Sequence, residues 1–362
     1  MRTHRPDYLI ITALVFLVLF GLVVLNSASS HLGQEKFGDS FYYLKHQIYY
    51  GLSFGLIGFF LAYKFYYRRY QKLAIPLLLI SIVLLALVFT PLGIRAGGAE
   101  RWVKLGPVTF QPAELAKLTV VLYLAAWLSG QGSRSRDFLR GAVPMMLLLG
   151  LVCSLLLYQP ATSTVVIIFA AAMIIYFLSG AKIRYIALLT LIMAAVVGAL
   201  VMITPYRLER ITNFLKPNAD PLAGGYHQIQ AQIAIGSGEI AGVGYGQSTA
   251  KISHLPEPIG DSIFAVLAAE FGFIGSGFLI VLFGLLVVKI FLLANKTPDK
   301  FGKLLLVGYG SVIGLQVFVN IGAISGILPL TGVPLPFISY GGSALAIFMT
   351  IGGMIANISR HS

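Results

Sequence analysis

The sequence predicts an all-α integral membrane protein with ten transmembrane helices, and three observations carry that prediction. Of 362 residues, 57% are hydrophobic and only 11% charged, against about 25% charged in soluble domains. The mean hydropathy is +0.86. Apolar runs of about 17 residues or more recur along the chain, each able to cross a bilayer as a helix that satisfies its own backbone hydrogen bonds. A pair of soluble domains, a disordered chain, collagen and a disulfide scaffold are thereby excluded. The single cysteine, Cys153, sits inside an apolar run and reads as packing.

Taken in order, the first segment, 8–27, is longer than the about 7–15-residue core of a signal peptide. It therefore reads as a retained helix, although Arg2 and Arg5 precede it and the Asn-Ser-Ala-Ser stretch 26–29 imitates a cleavage site. The second, 47–63, places Gly51 and Gly55 four residues apart, a spacing that suits close helix packing. The third, 74–89, qualifies on apolar length. The fourth, 114–129, opens on Glu114 and Lys117, three residues apart on one helical face and able to pair. The fifth, 141–157, contains Cys153, and the sixth and seventh, 162–178 and 183–204, are mostly apolar. The eighth, 262–292, is long enough to tilt or to extend beyond the bilayer, and it carries Glu270. The ninth and tenth, 304–325 and 343–358, complete one polytopic membrane domain spanning 1–362.

The net charge of +13 would suggest nucleic acid in a soluble chain. Alternating the loops between the two sides puts sixteen basic residues and three acids on the side of the termini, and nine basic residues and eight acids on the other. The positive-inside rule then makes both termini cytoplasmic. The surplus charge is juxtamembrane, where it orients helices and meets membrane lipids, and no nucleic-acid partner is expected.

The cytoplasmic loops are too short for an ATPase domain, and no Gly-x-x-x-x-Gly-Lys-Ser/Thr loop occurs, so no nucleotide cofactor is expected. The polar residues crowd instead onto extracytoplasmic loops at about 28–46, 90–113, 205–261 and 326–342, the largest lying between helices 7 and 8. Gly236, Gly238, Gly242, Gly244 and Gly246 follow no strand, so they read as backbone freedom for a re-entrant loop. The six histidines show no metal-binding spacing, and His254 is either an ordinary loop residue or a ligand or proton carrier near Asp261.

Three sites remain open on residues alone. Glu114 and Lys117 form a structural ion pair or line a cavity. Glu270, at membrane depth, requires a polar cavity or a partner. Asp261, at the outer end of the eighth helix, is a helix cap or a functional carboxylate.

Four blocks of residues bear on these alternatives. They are Arg101-Trp102-Val103-Lys104-Leu105-Gly106-Pro107 with Gln111-Pro112-Ala113-Glu114 and Lys117; Gln230 to Gly244; Leu255-Pro256-Glu257 with Asp261-Ser262-Ile263-Phe264; and Leu328 to Ser343. With them the chain resembles, over its whole length, the SEDS family of cell-wall proteins, FtsW, RodA and SpoVE, and FtsW more than RodA. The family's essential aspartate falls on Asp261. Departures are Ser262 for the usual Phe, Ala269 in a Glu-Glu pair, Ala113 in the fourth-helix motif, and Ala161 after Pro160, which removes an outer carboxylate.

The resemblance implies a peptidoglycan glycosyltransferase of the bacterial cytoplasmic membrane that polymerises lipid II at the outer face. Asp261 is the expected general base in an inverting displacement of undecaprenyl pyrophosphate. Arg101, Trp102, Gln111, Glu114, Lys117 and Glu257 are the expected substrate-binding residues, with Arg207 and Arg210 as further cations. Trp102 reads first as a membrane-anchoring aromatic and second as a sugar platform. A divalent cation, magnesium or manganese, is expected to share Asp261 with substrate phosphate. A single-span class B penicillin-binding protein is the implied partner. Competing readings are a lipid II flippase and a non-catalytic scaffold for a transpeptidase. Reversing the charges of Glu114 and Lys117 is expected to preserve stability.

Overall fold

A computed structural model describes residues 5–96, 99–106, 108–130, 134–217, 225–249, 251 and 255–361. Arg2, Pro107 and His254 lie outside these described residues. All ten apolar segments are helical. They comprise α1 (Tyr8–Phe37), then α2 (Tyr42–His46), which continues through a π-helical stretch (Gln47–Leu52) into α3 (Ser53–Lys64), then α4 (Arg69–Leu87) and α5 (Pro112–Ser129). Next come α6 (Val143–Tyr158), entered through a π-helical turn, α7 (Thr162–Leu178) and α8 (Ile183–Ile203). After two loop helices, α9 (Pro205–Leu215) and α10 (Tyr226–Ser237), follow α11 (Ile263–Lys296), α12 (Lys300–Ile324) and α13 (Gly342–His361). Among the described residues, eight helices are long and apolar enough to cross a membrane. α12 and α13 have 78% of that apolar window buried and form the centre, whereas α8 has 6% buried and presents its apolar sides outward.

Four details differ from the expectation of plain helices joined by loops. Segment 90–113 carries a small antiparallel sheet, β1 (Gly93–Ala96), β2 (Ala99–Leu105) and β3 (Val108–Phe110), in the order β1-β2-β3, at the end of an otherwise helical bundle. Segment 205–261 contains α9 and α10 rather than irregular chain. α1 runs on to Phe37 because Ser27, Ala28 and Ser29 face the protein interior and keep the helix packed past the apolar run. Finally, the eighth span is broken at Gly272, whose φ of 63° and ψ of −163° lie outside the helical region.

The break follows from how the glycine-rich loop enters the bundle. Val243 N–H donates to Ala269 O at 3.0 Å and Gly244 N–H to Glu270 O at 3.1 Å, while Phe273 N–H donates to Glu239 O at 2.9 Å and Ile274 N–H to Ile240 O at 3.1 Å. These exchanges satisfy the backbone groups freed by the kink, as water-poor surroundings require. Only glycine fits there: a Cβ on Gly272 would overlap the Gly242 nitrogen, and one on Gly242 would overlap the Glu270 carbonyl. Gly272→Ala is expected to lower the melting temperature in detergent sharply, because backbone strain alone costs on the order of 1–3 kcal/mol before the clash is counted.

The same junction answers the Glu270 question. Lys251 Nζ lies 2.7 Å from Glu270 Oε1 and 2.8 Å from Ser27 Oγ, and Ser27 Oγ donates to the same carboxylate oxygen at 2.6 Å. The buried acid thus has a lysine partner 19 residues earlier in the chain. Gly51 packs against Gly342, and Gly55 against Met349, so the glycine pair seats the π-helical stretch and α3 closely on α13.

Candidate active site

Four connecting segments, 90–113, the turn at Pro160 and Ala161, 205–261 and 326–342, meet at one end of the bundle around Asp261, which sits in the turn immediately before α11. Its main chain is clamped from three directions. Asn320 Nδ2 of α12 donates to Asp261 O at 2.9 Å and to Val333 O at 2.8 Å. Ser339 Oγ donates to Gly260 O at 2.7 Å, and Tyr340 N–H donates to Ile259 O at 2.8 Å. α11 starts at Ile263 without a side-chain cap, so the helix-cap alternative for Asp261 is not realised. The residue is half-buried, and Oδ1 is enclosed with no hydrogen-bond partner among the described residues. Burial, and then the neighbouring Glu257 carboxylate, push its pKa up to about 7 against the partial offset of Arg210 and Arg101.

Two adjoining cavities open here, and Tyr206, Arg210, Leu330 and Thr331 line both. The larger, about 250 Å³, has Arg101, Arg207 and Arg210 on its wall together with apolar residues such as Val197 and Val201. Among the described residues no carboxylate lines it, and Ala161 stands in its wall. Each arginine is held by neutral oxygens. Arg101 donates to Gln159 O at 3.0 Å and Pro160 O at 2.6 Å, Arg207 to Leu157 O at 2.7 Å and Thr162 Oγ1 at 3.2 Å, and Arg210 to Leu330 O at 3.1 Å. Arg210 also lies over the Tyr206 ring at 4.6 Å. The result is a fixed positive wall beside apolar surface, which suits a lipid-linked anion. The smaller cavity, about 190 Å³, is polar and is lined by Asp261, His227, Asn213, Gln228 and Glu209 besides the shared residues.

Of the residues singled out from sequence, Arg101 and Gln111 line the larger cavity and Asp261 the smaller. Glu257 lines neither, yet its charge acts on Asp261. Trp102 is half-buried in β2 opposite Ile94 and lines neither cavity. Glu114 and Lys117 are also away from both. Their side chains are 2% and 1% exposed and 2.8 Å apart, and Lys117 Nζ additionally donates to Gln316 Oε1 and lies over the Phe348 ring at 5.1 Å. An ion pair so enclosed has no open face for substrate, which corrects the expectation of substrate contact at these two positions. Among the described residues, no three His, Cys, Asp or Glu side chains converge as a metal site. Sequence reading passed over His227, whose Nε2 is 2.7 Å from Ser262 Oγ. The two are 35 residues apart, and no local pattern links them.

Comparison with known proteins identifies the family. The family described as FtsW, RodA and SpoVE, cell cycle protein, matches residues 7–362. A Geobacter sp. strain M18 protein named "Probable peptidoglycan glycosyltransferase FtsW" is 38% identical over 361 residues, covering 99% of this chain and 98% of that protein. Stage V sporulation protein E of Bacillus subtilis strain 168 is 36% identical, covering 100% and 99%. Among solved structures, a chain from work described as the structural coordination of polymerization and crosslinking by a peptidoglycan synthase complex superposes with a TM-score of 0.80 at 31% identity, covering 98% of each chain. The Thermus thermophilus rod shape determining protein RodA superposes with a TM-score of 0.72 at 30% identity, covering 99% of this chain and 98% of that one.

Proposed function

Because this chain belongs to the FtsW, RodA and SpoVE family and is a multi-pass peptidoglycan glycosyltransferase closer to FtsW, we propose that it polymerises lipid II at the outer face of the bacterial cytoplasmic membrane with Asp261 as general base. Ten spans with both termini cytoplasmic put the Asp261 end outside. That orientation rests on the distribution of basic residues and on the meeting of four loops, all assigned to one side, around a single carboxylate. The observation that carries the chemistry is a carboxylate with an enclosed, unpartnered oxygen and a pKa near neutrality, set beside a cationic groove.

Asp261 takes the proton from the 4-hydroxyl of the acceptor sugar. The freed oxygen attacks the anomeric carbon of the donor from the face opposite the diphosphate, and the carbon–oxygen bond to undecaprenyl pyrophosphate breaks with its electron pair leaving on the phosphate. The anomeric centre inverts. A diphosphate needs its charge neutralised rather than a proton donated, and Arg101, Arg207 and Arg210 supply that charge. A base with pKa near the working pH combines availability with driving force. Asp261 and the nearby Glu257 are the carboxylates that would hold a magnesium or manganese ion, which would supply further charge neutralisation at the diphosphate.

The structural relative belongs to a synthase complex of polymerization and crosslinking, and this supports a class B penicillin-binding protein as partner. The exposed apolar face of α11 and α12, with Phe273, Phe278 and Phe318, suits a single transmembrane helix of that partner. Purified protein incubated with lipid II is expected to yield glycan strands resolvable by gel electrophoresis. Transport of lipid II across vesicles without strand formation would instead support the flippase reading.

A further inference from the structure

The smaller cavity offers more than one carboxylate. Asp261 Oδ1 and Thr331 Oγ1 are both enclosed and without hydrogen-bond partners among the described residues, and both residues line this one space. Buried polar atoms left unmatched are costly, so two on the same wall point to a ligand that hydrogen-bonds them. At about 190 Å³ the space is below the range of about 300–1,000 Å³ typical of drug-sized pockets. It therefore suits a single sugar ring rather than a lipid-linked disaccharide.

His227 lines this cavity, and its Nε2 is fixed 2.7 Å from the fully buried Ser262 Oγ. Burial and the Arg210 charge lower its pKa to about 4, so the ring is neutral in working conditions, with one nitrogen a donor and the other an acceptor. With Nε2 engaged by Ser262, Nδ1 is the nitrogen left to address a ligand.

We propose that this cavity holds the terminal amino sugar of the acceptor and that His227, anchored by Ser262, is the positioning residue that sets the attacking hydroxyl against Asp261. The inference rests on the polymerase reading and adds to it where the acceptor sits. The larger, arginine-lined groove is then left to the donor diphosphate, and the wall residues Tyr206, Arg210, Leu330 and Thr331 separate the two.

The test is a pair of substitutions that divide the imidazole. His227→Gln keeps an N–H near the Nε2 position for Ser262 and removes Nδ1. Ser262→Ala keeps the ring and removes its anchor. His227→Gln is expected to melt with the parent and to polymerise lipid II about a hundredfold more slowly, the scale of loss that an ångström of misplacement produces. Inhibition by added undecaprenyl pyrophosphate, which reports the donor groove, should be unchanged. Ser262→Ala is expected to slow polymerisation about tenfold, and the double variant to be no slower than His227→Gln alone, because one acts through the other. Parent-like rates in His227→Gln, or a shift in undecaprenyl pyrophosphate inhibition as large as the rate loss, would overturn the assignment. If His227→Gln melts early, Ser262→Ala decides: an unchanged rate there overturns it equally. Asp261→Asn in the same assay separates the two claims, since its activity would sink the polymerase mechanism whatever His227 does.

Discussion

Asp261→Asn is expected to abolish lipid II polymerisation by purified protein while leaving its melting temperature unchanged or slightly raised. Removing a positioned general base typically costs 10²–10⁴-fold, and an amide cannot take the proton. Stability should not suffer, because the substitution removes a charge whose Oδ1 has no partner and whose pKa is pushed up to about 7 by burial and Glu257. The pH dependence has a definite sign. The carboxylate is the active form, so the rate should rise roughly tenfold per unit as pH approaches about 7 from below and level off above it. Stability runs the other way. A carboxyl raised from its ordinary value of 3.8 contributes stability that is complete below 3.8 and is lost as pH rises through about 7. Asp261→Asn should therefore melt above the parent at pH 8 and level with it near pH 4. Glu257→Gln removes the nearby like charge and should move the rate profile to lower pH. A profile that does not move, or an Asn variant that still makes polymer, removes Asp261 from the role of base.

Lys117→Ala is expected to be the most destabilising single change in the bundle interior. It leaves the Glu114 carboxylate 2% exposed between α5 and the central helices with its lysine partner gone. Breaking a buried pair from one side costs about 3–5 kcal/mol, and loss of monodisperse protein in detergent is the measurement. Charge reversal is expected to recover little. A carboxylate at position 117 would face Gln316 Oε1 and the Phe348 ring face, both of which favour a cation. Gln316 cannot simply turn, because its Nε2 donates to Pro334 O at 2.8 Å. Glu114→Gln combined with Lys117→Met should recover more stability, since it removes both charges and keeps the volume. A reversed pair as stable as the parent would show that Gln316 and Phe348 do not fix the polarity of the site.

These two cases also show what could be read from residues in sequence. The Glu114–Lys117 pair was visible from its three-residue helical spacing, but whether it lined a cavity depended on Gln316 and Phe348, contributed by α12 and α13. For Glu270 the sequence required a partner without identifying it, and Lys251 reaches it only because the glycine-rich loop folds back into the break at Gly272. Asp261 stood out by its resemblance to the family's essential residue. Its company of Arg101, Arg210, His227 and Thr331 is drawn from segments as far as 160 positions away, with no local pattern to connect them.

What the sequence determined alone was the set of long apolar helices and the side of the membrane each loop is expected to occupy. Both follow from apolar run length and juxtamembrane charge, quantities local to each segment, because a helix in lipid satisfies its backbone from within. The tertiary structure decided the broken eighth span, the sheet in segment 90–113, the polarity of the buried ion pair and the division of the site into a cationic groove and a polar cavity. Each of these depends on hydrogen bonds and charges between residues far apart in the chain, and their energies exist only once the helices have packed.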